Sequence, residues 1–180
     1  MKRILLSLIL LASTLSAVAA PATKVFTFKN LCFECPASWE VSVDDSAPTR
    51  CLATLAGPDD DFLVILLIDA VDPDDLSGVT PEQLDAILAN YLTEIGAYLT
   101  GIPDVVVQKA SDVELTGEDD PYPNAMQYCT GTIEDEELDA ILLSYLFEDA
   151  FVINTVLMTN SDDALVPLLE QVTDGFSLVE

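Results

Sequence analysis

Acidic residues are concentrated at the predicted turns of this chain, and the segments between those turns are apolar. Asp59–Asp61, Glu134–Glu137 and Glu148–Asp149 each separate two runs that are rich in branched aliphatic and aromatic residues. Short apolar runs bounded by turn residues are typical of β-strands, and short loops between such runs favour antiparallel hairpins. The pattern therefore predicts a meander of antiparallel strands that carries its charges on the surface.

The charge balance is strongly negative, with six basic residues against 32 acidic ones and a net charge of −26. Because the acids are spread over most turns, they indicate a solvated shell rather than one focused site. Molar salt shortens the screening length from ~8 Å to ~3 Å, so this surface is suited to salty surroundings. Divalent cations and a basic partner are the alternatives. Nucleic acid is excluded as a partner, because no basic patch is present to release counterions from its phosphates.

The N-terminus has the three parts of a secretory signal peptide. Lys2 and Arg3 form the basic region, Ile4–Leu15 the apolar region, and Ala17–Ala19 the small-residue cleavage site. Cleavage after Ala19 gives a signal peptide, residues 1–19, and a single domain, residues 20–180. Loss of Lys2 and Arg3 leaves four basic residues against 32 acidic ones, a net charge of −28. No second apolar stretch reaches the ~18 residues of a membrane span. We therefore expect a periplasmic or secreted protein with no transmembrane anchor after cleavage.

Alternating and continuous apolar runs predict nine strands. Phe62–Ile68 is apolar on both faces, which indicates a central strand covered on both sides. For Leu138–Leu146 a helix is the alternative on propensity. The predicted strands are Val25–Phe28, Leu31–Cys35, Trp39–Val43, Cys51–Ala56, Phe62–Ile68, Val105–Val107 with an extension towards Leu115, Ala125–Ile133, Leu138–Phe147 and Phe151–Met158.

Two helices are predicted from caps and periodicity. Thr80, Pro81 and Gln83 form a capping-box start, and an apolar stripe at helical spacing runs from Leu84 to Leu99. Gly101 and Pro103 follow it and end the first helix. A second helix is expected from about Asp162 to Val172, with Pro167 as an awkward interior residue.

The four cysteines of an exported chain predict two structural disulfides, formed by Cys32, Cys35, Cys51 and Cys129. If the segment from Cys32 to Cys35 is extended, their α-carbons lie about 10 Å apart, beyond the ~7 Å that a disulfide can bridge. The favoured connectivity therefore joins each of these two to one of Cys51 and Cys129, unless the chain turns at Glu34–Pro36. The enzyme alternative is a thiol–disulfide oxidoreductase that uses Cys32 and Cys35. A four-cysteine zinc site is disfavoured, because a second paired knuckle is missing.

Several catalytic classes are excluded by composition. The chain has no histidine, which rules out histidine-based triads and histidine metal sites, and it has no glycine-rich phosphate loop. Carboxylate pairs of the kind used by glycosidases occur at nearly every loop, so no single pair is informative. We predict no catalytic residue, no cofactor and no metal ligand. Weak calcium binding is an alternative at Asp69–Gly78, which fails the EF-hand pattern because Leu76 occupies a ligand position and the glycine comes late, or at Asp119–Asp120.

The order of elements resembles that of a known family. The carrying residues are Phe26–Phe28, then Pro36–Val41 with Trp39, the long helix after the central hairpin, the late meander, and the closing Leu168–Val172 with Phe176. Together they are similar to the PsbP-like superfamily, an α/β/α sandwich also seen in Ran-binding Mog-type proteins and in many exported bacterial proteins of unknown role. The resemblance implies an α+β fold, an antiparallel sheet with helices packed on its faces. It further implies a binding or assembly accessory for an unknown protein or envelope partner, rather than an enzyme. The cysteines and the charge depart from the family, and no family site residue has a counterpart here.

Overall fold

The computed structural model describes residues 22–59, 61–116 and 122–179. The predicted signal peptide, residues 1–19, and the acidic pair Asp119–Asp120 lie outside these ranges. In chain order the described elements are β1 (Thr23–Phe28), β2 (Leu31–Pro36), β3 (Glu40–Asp44), β4 (Arg50–Ala56), β5 (Phe62–Ala70), a 3-10 helix (Pro73–Leu76), α1 (Pro81–Gly101), β6 (Val105–Ala110), β7 (Glu114–Leu115), β8 (Asn124–Ile133), β9 (Glu136–Phe147), β10 (Phe151–Thr159), α2 (Asp162–Thr173) and β11 (Phe176–Leu178). None of the described helices combines the length and the apolar character that a membrane span needs.

Eight strands form one antiparallel sheet with the order β3-β4-β5-β10-β9-β8-β6, in which β7 also pairs with β8. The acidic hairpins join neighbours in this sheet, as the meander prediction requires. β5 and β10 lie at the centre, and every residue of β10 is buried. The segment Leu138–Leu146 is strand rather than helix, because its side chains pack on both faces between β8 and β10.

One face of the large sheet is covered by α1. The capping box forms as predicted: Thr80 Oγ1 accepts from Gln83 N at 3.3 Å, and Gln83 Oε1 accepts from Thr80 N at 2.9 Å. The predicted stripe is buried against β8, β9 and β10 through Leu88, Leu92 and Ile95. This α1-side core includes alternate residues of β9 and β10, which point to α1 because successive strand residues face opposite sides.

The opposite face carries a smaller sheet and α2. The small sheet has the order β1-β2-β11 and is antiparallel throughout, with β1 and β2 forming the predicted hairpin. Its aromatic residues Phe33 and Phe176 pack with Leu165 and Val172 of α2 and with Ile153 of β10 in the α2-side core. Pro167 lies inside α2 without breaking it. The result is the expected α+β fold, an antiparallel sheet with helices packed on its two faces.

Candidate functional site

A cleft of about 480 Å³ opens on the α2 side of the large sheet, between β7 and the end of α2. Its floor is formed by β8 and β9, and we call it the β7–α2 cleft. Ligand pockets generally have volumes of ~300–1,000 Å³, so the cleft is large enough to hold a ligand. Its lining residues are Glu114, Leu115, Tyr122, Asn124, Met126, Leu143, Tyr145, Leu169, Thr173 and Asp174.

The cleft contains a buried polar group without a partner. Tyr145 is only 4% exposed, and its hydroxyl has no hydrogen-bond partner among the described residues. Leaving a buried donor unpaired costs roughly 1–3 kcal/mol, so such a group calls for a structural or functional reason. Burial raises the pKa of Tyr145 far above its ordinary value near 10, with a smaller contribution from Tyr122. The hydroxyl therefore stays protonated at neutral pH and remains available as a donor.

Aromatic rings surround this tyrosine. The ring of Tyr122 lies 6.3 Å from that of Tyr145 and 5.1 Å from that of Phe147, measured between centroids. Phe176 completes the group at 6.5 Å from Tyr145. Tyr122 donates its hydroxyl to Glu148 at 3.2 Å, and burial together with this carboxylate raises its pKa. Ring packing of this kind holds the Tyr145 side chain in a defined position.

The rim of the cleft is acidic on two sides. Glu114 lies on β7, and Asp174 is the C-cap of α2. The C-terminal end of a helix carries a partial negative charge, and the last turn of α2 contains no basic residue to neutralise it. The carboxylates and the helix end therefore act in the same direction and favour a positive charge at this rim.

Hydrogen bonds fix β7 against β8. Thr116 N donates to the carbonyl of Asn124 at 3.0 Å, and Asn124 N donates to Thr116 Oγ1 at 2.7 Å. Asn124 Nδ2 donates in turn to the carbonyl of Tyr122 at 3.2 Å. This ladder holds Glu114 and Leu115 at the edge of the cleft, and Leu115 is 48% exposed there.

Two other cavities are less suited to a ligand. One, of about 290 Å³, lies between the β4–β5 and β8–β9 hairpins, beside Phe62 and Met158. The other, of about 450 Å³, lies where α1 begins, beside Val79 and Leu84. Among the described residues, neither is lined by a buried polar side chain that lacks a partner. The β7–α2 cleft is therefore the strongest candidate site.

The predicted disulfides are not found: Cys32, Cys35, Cys51 and Cys129 are all free thiols. The favoured connectivity needs Cys129 to bond Cys32 or Cys35. Cys129 faces the α1-side core, whereas Cys32 and Cys35 belong to the small sheet on the opposite face. The whole large sheet lies between them, which exceeds the ~7 Å limit for a bridge. The segment from Cys32 to Cys35 is extended, as the distance argument assumed.

Two of the free thiols, those of Cys35 and Cys51, are poorly suited to nucleophilic chemistry. Burial raises the pKa of the Cys35 thiol, and nearby Lys24 offsets only part of that effect. Burial, with Asp45 and Asp44 adding to it, raises the pKa of Cys51 to about 11. A reactive thiol requires a lowered pKa, because the thiolate is the attacking species.

Two of the four carboxylates in the predicted calcium segment are engaged in other contacts. Asp69 is held by Arg50, and Asp72 caps the 3-10 helix by accepting from Asp74 N at 3.0 Å. Across the described residues, no group of three or more cysteine or acidic side chains is arranged to hold a metal ion. The second calcium candidate, Asp119–Asp120, lies outside the described residues.

The fold is a PsbP-like α/β/α sandwich, as the sequence resemblance implied. The solution structure of cyanobacterial PsbP (CyanoP) from Synechocystis is similar over 93% of this chain and 99% of that chain, with a TM-score of 0.55 and 14% sequence identity. LpqN, involved in cell envelope biogenesis of Mycobacterium tuberculosis, is similar over 83% of both chains, with a TM-score of 0.44 and 10% identity. A protein of unknown function from Pseudomonas aeruginosa is similar over 88% of this chain and 96% of that one, with a TM-score of 0.33 and 15% identity. No protein-family model and no curated protein sequence matches this chain.

Proposed function

We propose that this chain is an exported, non-enzymatic binding or assembly-accessory protein, and that the β7–α2 cleft is its binding site. The observation that carries the proposal is the unpartnered Tyr145 hydroxyl in the wall of an open apolar cleft. Binding sites typically combine apolar walls with a few polar groups that orient the ligand. The PsbP-like fold supports an accessory role, because that superfamily is largely non-enzymatic.

The thiol chemistry supports binding over the oxidoreductase alternative. A dithiol catalyst needs two cysteines close enough to form a disulfide and at least one thiol with a lowered pKa. Cys32 and Cys35 lie on one extended strand, about 10 Å apart, and burial raises the pKa of Cys35. Both features oppose a catalytic exchange cycle.

Site-specific photocrosslinking tests the binding role. A photoreactive p-benzoylphenylalanine replaces Leu115 at the cleft, and in a matched control it replaces Val106, which is 56% exposed on β6 and outside the cleft. We expect a defined adduct in producing cells from position 115 alone. Thr173→Lys, which adds a long side chain at the cleft mouth, should suppress that adduct. Equal adducts from both positions, or none from position 115, would refute the cleft as a binding site.

Export is part of the proposal and has its own test. Mass spectrometry of the protein from the extracytoplasmic fraction should give a mature N-terminus at Ala20, as cleavage after Ala19 requires. A chain that keeps Met1 and stays in the cytoplasm would contradict the export proposal.

Adaptation to salt is the proposed role of the acidic surface, and thermal melts separate it from calcium binding. The mature protein is melted in low salt, in molar sodium chloride, and in low salt with one millimolar calcium. Screening of carboxylate repulsion should raise the melting temperature steeply in molar salt only. A comparable rise with calcium, not reproduced by magnesium, would instead indicate a specific ion site.

A further inference from the structure

The β7–α2 cleft has features that specify its ligand more closely than a general binding role. They are the charge at its rim, the unpartnered donor in its wall and the open strand at its edge. The argument rests on the proposed function, since it concerns the same site.

The rim selects for positive charge. Glu114 and Asp174 stand on opposite sides of the opening, and the negative end of α2 points to the same place. The protein as a whole carries a net charge of −26, which in low salt repels anionic ligands at long range and attracts cationic ones. A ligand with a lysine or arginine therefore complements both the rim and the whole molecule.

The walls and floor select for an apolar group beside an acceptor. Leu115, Met126 and Leu169 offer aliphatic contacts, and Met side chains adapt to varied shapes. The Tyr145 hydroxyl is a donor whose only unmet need is an acceptor such as a carbonyl oxygen. A backbone carbonyl next to an apolar side chain would meet both requirements.

The edge of the cleft favours a peptide over a small amphiphile. Among the described strands, β7 pairs only with β8, so its other edge offers backbone donors and acceptors next to the opening. An extended peptide that crosses the opening can bond these backbone groups where it passes β7, and its next residues then lie over the floor of the cleft near Tyr145.

We propose that the β7–α2 cleft binds an extended segment of a partner protein in which apolar side chains alternate with lysine or arginine. An apolar side chain enters the cleft, a backbone carbonyl accepts from Tyr145, and the flanking cation lies between Glu114 and Asp174.

Calorimetric titration with three synthetic nine-residue peptides tests the ligand class. One alternates leucine and lysine, the second leucine and glutamate, and the third serine and lysine. The leucine–lysine peptide should bind at least tenfold more tightly than either of the others. Equal binding of the serine–lysine peptide would reduce the interaction to nonspecific charge attraction, and equal binding of the leucine–glutamate peptide would remove the role of the rim.

Tyr145→Phe is the sharpest variant, because two readouts should move in opposite directions. Loss of the hydroxyl removes an unpaired buried polar group, so stability should be unchanged or higher. Loss of one hydrogen bond should weaken leucine–lysine peptide binding about five- to tenfold. Tyr98→Phe, on the exposed surface of α1, is the matched control and should leave both quantities unchanged. Unchanged affinity in Tyr145→Phe would overturn the assigned contact.

The rim is tested by charge removal. Glu114→Gln with Asp174→Asn should weaken peptide binding in low salt, and the difference should vanish in molar salt. Glu40→Gln with Asp45→Asn, an equal charge change outside the cleft, should have a much smaller effect. Equal effects of the two pairs would show that the rim is not selective.

Competition and crosslinking distinguish failure of this proposal from failure of the binding role. If dodecyltrimethylammonium displaces the peptide and binds more tightly, the ligand is a small cationic amphiphile and the peptide proposal fails. If none of these probes binds but the adduct from position 115 forms, the binding role stands and the ligand class assigned here is wrong.

Discussion

Arg50 is the one described residue that ties α1 to the large sheet through ion pairs. Its guanidinium donates to both carboxylate oxygens of Asp69 on β5, from Nε at 2.6 Å and from Nη2 at 2.9 Å. A third bond runs from Nη1 to Glu94 of α1 at 2.9 Å. The pKa of Arg50 is raised, chiefly by the hydrogen bonds to Asp69, so its guanidinium stays charged at any ordinary pH. Replacing this residue with methionine tests how much such a network contributes in a protein with few cations.

The geometry sets the expected magnitude. The Asp69 side chain is 13% exposed and that of Arg50 is 38% exposed, so the bidentate pair is partly shielded from water. A hydrogen bond to a charged group contributes ~1.5–3 kcal/mol, and solvent screening at Arg50 places this pair at the lower end. The exposed bond to Glu94 should add only ~0.3–0.5 kcal/mol. We therefore expect Arg50→Met to lower the free energy of unfolding by about 2 kcal/mol in low salt.

Urea unfolding at neutral pH measures this loss. In molar salt the contribution of the Arg50–Glu94 bond to the free energy of unfolding should disappear. Most of the contribution of the Arg50–Asp69 pair should persist, because that pair is less accessible to ions. A double-mutant cycle with Asp69→Asn should give a coupling energy of at least ~1 kcal/mol. The matched control is Lys109→Gln, which removes one positive charge from a residue that makes no ion pair within the described residues. Equal losses in Arg50→Met and Lys109→Gln would refute the pair and attribute the effect to net charge.

Three further predictions follow from local geometry. At the β8–β9 turn, Glu134 and Asp135 both have positive φ, at 50° and 69°, so Glu134→Asn with Asp135→Gly should stabilise the protein by about 1 kcal/mol in thermal melts. Leu88→Ala should cost about 3 kcal/mol in urea unfolding, because Leu88 of α1 is fully buried against the large sheet, whereas exposed Val106→Ala should stay within ~0.5 kcal/mol of wild type. Burial raises the pKa of the Cys51 thiol to about 11, from about 9 in the unfolded chain. The protonated thiol therefore favours the folded state below about pH 9, and this stabilisation should be lost as the pH rises to about 11. Cys51→Ala should flatten that fall in the stability–pH profile.

Much of the fold could be predicted because its signals are local. The Thr80 cap and the apolar stripe of α1 lie within one continuous stretch, so the residue types at its start predict the cap and the helical spacing predicts the stripe. The segment Leu138–Leu146 was ambiguous, because a run that is apolar on every face fits either a buried strand or a buried helix. Pairing with β8 and β10 decides it, and that pairing is a tertiary effect.

The errors and omissions concern relations between distant elements. A disulfide pairing depends on which face of which sheet each cysteine occupies, and no local pattern shows that Cys129 faces α1 while Cys35 lies on the other side. The cleft could not be predicted for the same reason. Its walls come from β7, β9 and α2, which are distant in the sequence and become neighbours only because of the strand order in the folded sheet. Tyr145 lies in an apolar run of the sequence, and the only local indication of a binding site there is a hydroxyl among aliphatic neighbours.

The position of the cleft follows from the unequal cover on the two faces of the large sheet. At 1.5 Å per residue, the 21 residues of α1 extend about 31 Å, whereas the 12 residues of α2 extend about 18 Å. α1 contacts β6, β8, β9 and β10, but α2 contacts only β9 and β10 to an appreciable extent. Within the part of the chain that the structure describes, the apolar residues of β7 and β8 on the α2 side therefore have no helix above them. An uncovered apolar surface promotes self-association in most proteins, and at low ionic strength a net charge of −26 opposes it. At low ionic strength the acidic surface and the open cleft thus suit each other: the charge opposes self-association through the exposed apolar site, and it favours a cationic ligand over a second copy.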